Sequence, residues 1–431
     1  MKNVIKRICA GLLCGVLGVS ATACDFFGNE GNGNNSNNNN NAQLKEQIYK
    51  DGVHVYDYSA TDKYVVQNSQ SDYKIVISGD ADSSEILARD ELAMFFAEAT
   101  GVNLPVVTDA QITYNKDNKV ICLGKNDYYK AALEENANLS TEGKNLEHDG
   151  FMIETVGNGI YIFGDYSEAA IFGVYRYLAI EFNYDCYSNI AYNLDTGVEN
   201  VTLKDFSVLD VPDYTFRSCA YSHITNTTPT EYRMGFGRGE GYSIGANTAH
   251  STFLYLPKET YQSAHSDWYS LDGTQLCYLA RGNQEEYEAM LDTWFEIMKE
   301  YFKTDDGYFF RIGHADSVTW CNCKACQDSK AKYGADSSSA VLLANRLAER
   351  MDEWLKTEEG KPYYRDYRIT VLAYGISLAP PAKYNEASGK WEPSAPEMKC
   401  HPRVMPWFAP LEINHNYTIF DEENKIYYNY F

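Results

Sequence analysis

Tyr73-Lys74-Ile75-Val76-Ile77-Ser78-Gly79 opens the stretch of this chain whose pattern decides its fold. A short β-branched run closed by glycine reads as a strand. Ser83 or Ser84 then caps a helix with Glu85 in its first turn, and Ile86, Leu87, Leu92, Phe95 and Phe96 recur at helical spacing. Thr100-Gly101 stops that helix, and residues 102–107 return as an extended segment. Residues 119–124 predict another strand. Two more, 150–156 and 159–163, are joined through Gly157-Asn158-Gly159, a hairpin signal. Ser167 caps a second helix over 168–182, with Ile171, Val174, Tyr175 and Leu178 facing inward. Strands and helices in this order predict an α/β sandwich over residues 44–210.

Val211-Pro212-Asp213 punctuates a boundary. Beyond it, strands at 216–221, 245–252, 308–312, 367–374 and 403–408 accompany helices at 285–302 and 337–356. Such alternation predicts a parallel α/β domain, a TIM-type (β/α) barrel over residues 211–431. About five strands fit, whereas a closed barrel needs eight and typically ~250 residues. The expectation is therefore an incomplete, truncated barrel, with a compact five-strand domain as the alternative. Ile426-Tyr427-Tyr428-Asn429-Tyr430-Phe431 reads as a β-prone aromatic tail.

The other end of the chain speaks of location. Lys2, Lys6 and Arg7 precede an apolar run from Ile8 to Val19, and Ser20-Ala21-Thr22-Ala23 leads to Cys24. A charged start, a short apolar segment and small residues before cysteine make a signal peptide over 1–24, too short to span a bilayer. Cys24 sits as the cysteine of a bacterial lipobox does, and the predicted result is lipidation and a place in the cell envelope, outside the cytoplasmic membrane. Residues 25–43, nearly all Asn and Gly from Gly28 to Asn41, read as a flexible tether. No second apolar stretch suffices for a membrane span, so contact with the membrane is expected through the anchor only.

The 431 residues suffice for two or three cores, and 44% hydrophobic content marks a globular body. A formal net charge of −23 argues against nucleic acid as a partner, because that binding rests on phosphate neutralisation by Lys and Arg. The 36 tyrosines permit a carbohydrate ligand, whose C–H faces stack on aromatics, although Tyr also serves cores and sheets.

The stretch Arg89-Asp90-Glu91-Leu92 through Thr100-Gly101-Val102-Asn103-Leu104-Pro105-Val106-Val107, continued by Ala169-Ala170-Ile171-Phe172-Gly173-Val174-Tyr175, resembles the N-terminal domain that precedes the barrel in alpha-glucuronidases and beta-hexosaminidase-like glycosidases. The later part is similar to the uncharacterised barrel known as domain-of-unknown-function family 4838. Its marks are His250-Ser251-Thr252-Phe253, Gln275-Leu276-Cys277, Asp316 followed by Cys321-Asn322-Cys323-Lys324-Ala325-Cys326, and Leu372-Ala373-Tyr374 followed by Pro380-Pro381. Together the two likenesses cover most of residues 60–415. The resemblance implies a glycan-active protein, an implication by analogy because fold does not establish chemistry.

Cys321, Cys323 and Cys326 place three sulfurs within six residues, with Cys277 or His314 as a fourth ligand. Thiolates suit zinc, usually four at a time, and the expected roles are a structural zinc or disulfides pinning a loop; no cofactor is required. Glycoside cleavage needs a proton donor and usually a second carboxylate, and on a barrel such groups sit at the C-terminal strand ends. Asp316 and Glu412 meet that placement and are the candidate catalytic pair; orienting the Cys loop and a plain surface position are the respective bland readings. His250, Arg217, Tyr221, His314, Trp320, Tyr374 and Trp407 are candidate substrate-binding residues, with Trp268 also considered and core packing the default for each aromatic. Met234-Gly235-Phe236-Gly237-Arg238-Gly239-Glu240-Gly241 lacks the ending of a phosphate loop and reads as a mobile loop over the pocket. The leading expectation is a glycoside hydrolase-like lipoprotein acting on complex carbohydrate. The alternative is a non-catalytic glycan-binding envelope lipoprotein.

Overall fold

Around Tyr73 to Ile77 the chain builds a seven-stranded mixed sheet in a computed structural model, which describes residues 52–219, 221, 224, 229–237 and 249–430. Its strands are β1 (Val53–Val66), β2 (Lys74–Ile77), β3 (Val106–Thr108), β4 (Val120–Leu123), β5 (Phe151–Val156) and β6 (Gly159–Gly164). After a separate hairpin of β7 (Asp185–Ser188) and β8 (Ala191–Asn193) comes the last of the seven, β9 (Val201–Val211). The order is β1-β9-β5-β6-β4-β2-β3, parallel from β6 to β3 and antiparallel from β1 to β6. The Gly157-Asn158 turn closes the β5–β6 hairpin with Val156 opposite Gly159.

Helices α1 (Ser83–Thr100) and α3 (Ala169–Phe182) cover one face, where Ile75, Ile77, Ile121, Leu123, Ile153 and Ile162 meet Leu92, Phe95, Phe96 and Leu178. Helix α2 (Asp127–Glu135) covers the other face, where Val76, Cys122, Met152 and Phe163 meet Tyr128, Tyr129 and Ala132. Successive strand residues thus feed opposite cores, as the two-residue period requires.

Two cap assignments differ from the sequence reading. Asp82, not Ser83 or Ser84, caps α1, because its carboxylate accepts from both Ser84 N–H (2.9 Å) and Glu85 N–H (3.0 Å). Helix α3 has no side-chain cap; Ser167 Oγ turns instead to Glu168. Many of the tyrosines answer to packing. Tyr73, Tyr129, Tyr161, Tyr177, Tyr255, Tyr269, Tyr278 and Tyr367 are all fully buried.

The later part has its own core around α4 (Gln284–Thr304) and α6 (Ser338–Trp354), with α5 (Lys324–Tyr333) beside them. Three parallel strands run through it, β10 (Phe309–Ile312), β11 (Arg368–Ala373) and, beyond a β12 (Ala382–Asn385)–β13 (Lys390–Pro393) hairpin, β14 (Val404–Phe408). The architecture is mixed α/β, as expected, but only three of the five anticipated strands form among the described residues.

Residues 216–219 are irregular, although Phe216 packs on Tyr308 and Phe309 beside β10. Residues 249–251 lie against β10 without a strand ladder, because Ser251 Oγ takes over the pairing. It donates to the Arg311 carbonyl (2.8 Å) and accepts from Gly313 N–H (3.1 Å), and Thr252 then opens a one-turn helix, Thr252–Tyr255. The aromatic tail is helical too, not extended: Lys425–Tyr430 follows a turn in which the buried Asn424 amide donates to the carbonyls of Asn414 and Thr418.

All described residues belong to one compact unit. No helix among them is long and apolar enough to cross a membrane. The leader over 1–24 with Cys24, the tether, the remainder of the strand expected at 245–252 and residues 238–241 of the glycine-rich segment lie outside the described residues.

Candidate functional site

Parallel strands deliver the residues that follow them to one edge of a sheet, and here the C-terminal edge of β10-β11-β14 gathers a polar aromatic cluster. Beyond Ile312 at the end of β10, Gly313 makes the closest backbone approach in the region. A Cβ there would lie 1.6 Å from the Ala249 carbonyl oxygen, so only glycine lets the 249–252 segment run alongside. The Thr252 N–H donates to the Gly313 carbonyl (3.1 Å), which sets His250 opposite His314. His250 Nδ1 hydrogen-bonds the His314 carbonyl at 2.7 Å, and its Nε2 lies 3.9 Å from Asp316 Oδ1. Tyr374, the residue after β11, stacks on His314 at 6.2 Å between ring centroids and meets the edge of His250 at 5.9 Å. Trp320 closes the other side of His314 at 5.3 Å and anchors its indole N–H on Ser339 Oγ.

The two acids and two histidines have different surroundings. Asp316 is 70% exposed on its side chain, ready for solvent or ligand. His314 is 2% exposed. Its Nδ1 faces the Ala315 carbonyl at 2.9 Å, and a carbonyl only accepts, so Nδ1 carries the proton. Nε2 is left buried without a hydrogen-bond partner. Burial pulls the His314 pKa below the ordinary histidine value and keeps the ring neutral, against the opposing pull of the Ala315 and Tyr374 backbones and the Asp316 charge.

Glu412 follows β14 on an exposed loop, and among the described residues its carboxylate has no hydrogen-bond or ion-pair partner. Trp407 lies under the Arg311 guanidinium at 4.1 Å, a contact spanning from β14 to β10. Trp268 is core: its indole N–H donates to the Glu286 carbonyl and its ring stacks on His265.

Arg217 belongs to a different place. Its guanidinium donates to Asp149 (3.0 Å) and to the carbonyls of Gly235 and Tyr214, beside a cavity of about 560 Å³ lined by Asp149, Phe172, Arg176, Asp210 and Arg233. Gly237 packs there as well, since a Cβ would fall 1.9 Å from Asp149 Oδ2. The described part of the glycine-rich segment is thus seated against the seven-stranded sheet domain. Tyr221 is mostly exposed, and its carbonyl accepts from Ile224 N–H.

The four cysteines converge. Cys277, Cys321, Cys323 and Cys326 are all buried, with their Sγ atoms within 4.8 Å of one another. Cys277 Sγ is 3.7 Å from both Cys323 Sγ and Cys326 Sγ, and all four are free thiols. Cys323 precedes α5 and Cys326 lies in its first turn. His314, the other fourth-ligand candidate, is not in this group. Hydrogen bonding from Cys277 draws the Cys321 thiol far below its ordinary value, with Cys326 adding to the effect.

Three supports had no role assigned from the sequence, although Ser251 and Gln275 lie in stretches that carry the family resemblance. Gln275 holds Ala315 at both backbone groups, accepting from its N–H (2.9 Å) and donating to its carbonyl (2.8 Å). Nothing in its local pattern announces that clamp. Ser251 likewise reveals its role only beside β10. Arg311 was readable, as a charge inside the apolar run Phe309-Phe310-Arg311-Ile312.

Residues 56–177 match the glycosyl hydrolase family 67 N-terminus, and residues 198–388 match a domain of unknown function, DUF4838. No curated protein matches the chain. Among solved structures, an N-acetyl-beta-hexosaminidase of Streptomyces plicatus is 12% identical, over 74% of this chain and 64% of its own, with a TM-score of 0.34. The Flavobacterium johnsoniae chitobiase is 12% identical over 76% and 53%, also with a TM-score of 0.34. A 4-O-methyl-alpha-glucuronidase with specificity for decorated arabinogalactans is 15% identical over 27% and 14%, with a TM-score of 0.19. The chain therefore spans about two thirds or less of the length of these proteins.

Proposed function

We propose that the chain is a lipid-anchored, extracytoplasmic glycoside hydrolase-like protein whose carbohydrate site is the cluster of His250, His314, Asp316 and Tyr374, backed by Trp320. One observation carries this reading. An exposed carboxylate, two imidazoles and a half-buried aromatic ring meet at the C-terminal edge of parallel strands, in a chain whose residues 56–177 match the glycosyl hydrolase family 67 N-terminus. Tyr374 offers a face for sugar C–H groups, while His250 and Asp316 supply hydrogen-bonding groups for hydroxyls.

In this reading Asp316 donates the proton to the leaving oxygen and Glu412 acts as the second carboxylate. β10 and β14 flank β11 and run parallel to it, so both acids leave the same edge of the sheet. Strands lie about 4.8 Å apart, so these two exits are separated by about 10 Å, room for a sugar ring. A second, binding-only reading is favoured by the solvent exposure of both acids, since a proton donor is normally set in a drier place.

Full-length protein on a broad panel of plant, host and microbial glycans decides between them. Turnover that disappears in Asp316→Asn and Glu412→Gln while binding persists supports the hydrolase. Binding without turnover, abolished by Tyr374→Ala, supports the lectin-like reading. Neither binding nor turnover on any glycan refutes both. The anchor rests on the leader ending at Cys24, and loss of detergent-phase partitioning in Cys24→Ser is its test.

A further inference from the structure

We propose that Cys277, Cys321, Cys323 and Cys326 bind one Zn²⁺ as four thiolates, and that this ion clamps the loop carrying His314 and Asp316. A tetrahedral ion with Zn–S bonds of about 2.3 Å holds its sulfurs about 3.8 Å apart. Cys277 Sγ lies 3.7 Å from two sulfurs at once, and all four fit within 4.8 Å. A disulfide brings two sulfurs to about 2.05 Å and singles out one partner. A sulfur equidistant from two others is arranged for a shared central atom.

The backbone supplies a second observation. Ala280 and Arg281 are consecutive non-glycine residues in the left-handed region, at φ 42° and 50°. That conformation is unfavourable for side-chain-bearing residues. Here it turns the Arg281 N–H onto Cys277 Sγ at 3.1 Å, a contact that stabilises a thiolate. The Arg281 guanidinium is tied back to the carbonyls of Tyr269 and Ser270 and pairs with Asp267 at 3.6 Å, which holds the residue and its backbone N–H in place. Cys323 and Cys326 stand at the start of the ten-residue α5, where backbone N–H groups favour negative charge. Binding releases the thiol protons and leaves a centre of formal charge −2, which these donors offset.

The clamp joins two segments that both hold the candidate site. Cys277 follows Gln275, which grips Ala315 at both backbone groups, and Cys321 directly follows Trp320, which walls His314. Residues 313–320 are thereby fixed at one end by β10 and at the other by the cluster. The metal proposal does not rest on the sugar reading, because its readouts contain no glycan.

The test uses the full chain produced in zinc-supplemented medium. One zinc per chain after gel filtration, released stoichiometrically by a mercurial thiol reagent, is the expected result. Replacement by Co²⁺ should give intense visible ligand-field bands and thiolate-to-metal charge transfer, the signature of tetrahedral sulfur coordination. Cys323→Ser should lose the metal, while Cys400→Ser, outside the cluster, should keep it. If Cys323→Ser fails to fold, the cobalt spectrum of the parent decides alone. After metal removal, amide exchange over residues 313–320 should accelerate, and unchanged exchange would overturn the clamp. Metal-free protein with four freely titrating thiols, or intact mass showing two disulfides in this cluster, would overturn the site.

Discussion

Gly313→Ala should dismantle the candidate site from its backbone outward. The new Cβ would sit 1.6 Å from the Ala249 carbonyl oxygen, less than half the ~3.5 Å of an ordinary contact. Relief requires the 249–252 segment and the end of β10 to part by about 1.5–2 Å. Four hydrogen bonds span that junction: Thr252 N–H to Gly313 O, Gly313 N–H to Ser251 Oγ, Ser251 Oγ to Arg311 O, and His250 Nδ1 to His314 O, at 3.1, 3.1, 2.8 and 2.7 Å. None survives such a displacement. At about 1 kcal/mol for each bond, the variant should lose about 4 kcal/mol in equilibrium urea unfolding. Gly79→Ala is the control, because its Cβ would meet only Asp109 Oδ1 at 3.6 Å, an ordinary contact. It should stay within about 0.5 kcal/mol of the parent or gain slightly. A Gly313→Ala protein within about 1 kcal/mol of the parent would refute the reasoning, because the close approach would then not determine the junction.

Asp82→Ala should cost about 1 kcal/mol by urea unfolding, since two α1 amides lose their acceptor, while Ser83→Ala should be nearly neutral. Arg233→Met should cost about 3 kcal/mol, because it leaves the mostly buried Glu91 carboxylate, which the guanidinium meets at 2.6 and 2.7 Å, with only the Tyr175 hydroxyl as partner; adding Glu91→Leu together with Tyr175→Phe should restore much of the loss. Stability should also fall in acid through His314. Above pH 6.5 its ring is neutral whether folded or unfolded. Below that, the unfolded chain takes up a proton that burial denies the native ring, so stability declines as pH falls toward the depressed native value. His314→Asn should flatten that part of the pH dependence, and an unchanged slope would show that other groups set it.

Much of the fold was legible because the signals were local and reinforced one another. The α1 stripe of Leu92, Phe95 and Phe96 needs an apolar surface to cover it, and the run from Lys74 to Ile77 supplies much of it. The Gly157-Asn158 turn fixed a register. The long pairing of β1 with β9 was missed, because its partners lie some 150 residues apart and β1 is largely exposed, without an alternating pattern. At 249–252, the described end of the strand expected over 245–252, the ladder is absent for a different reason. Strand propensity describes a segment alone, whereas Ser251 answers to the groups β10 presents.

The sequence by itself determined which chemistries are present: a clustered set of thiols and acids after apolar strand runs. Those are properties of residue type and spacing along one dimension. Only the tertiary structure decided which of them meet. It drew Cys277 to the sulfurs of Cys321, Cys323 and Cys326, and set His250 against His314, Asp316 and Tyr374. It sent Arg217 instead to Asp149. The physical reason is that contacts between segments dozens of residues apart depend on parallel strands sharing an edge and on close approaches such as Gly313 to Ala249, and neither leaves a periodic trace in the chain.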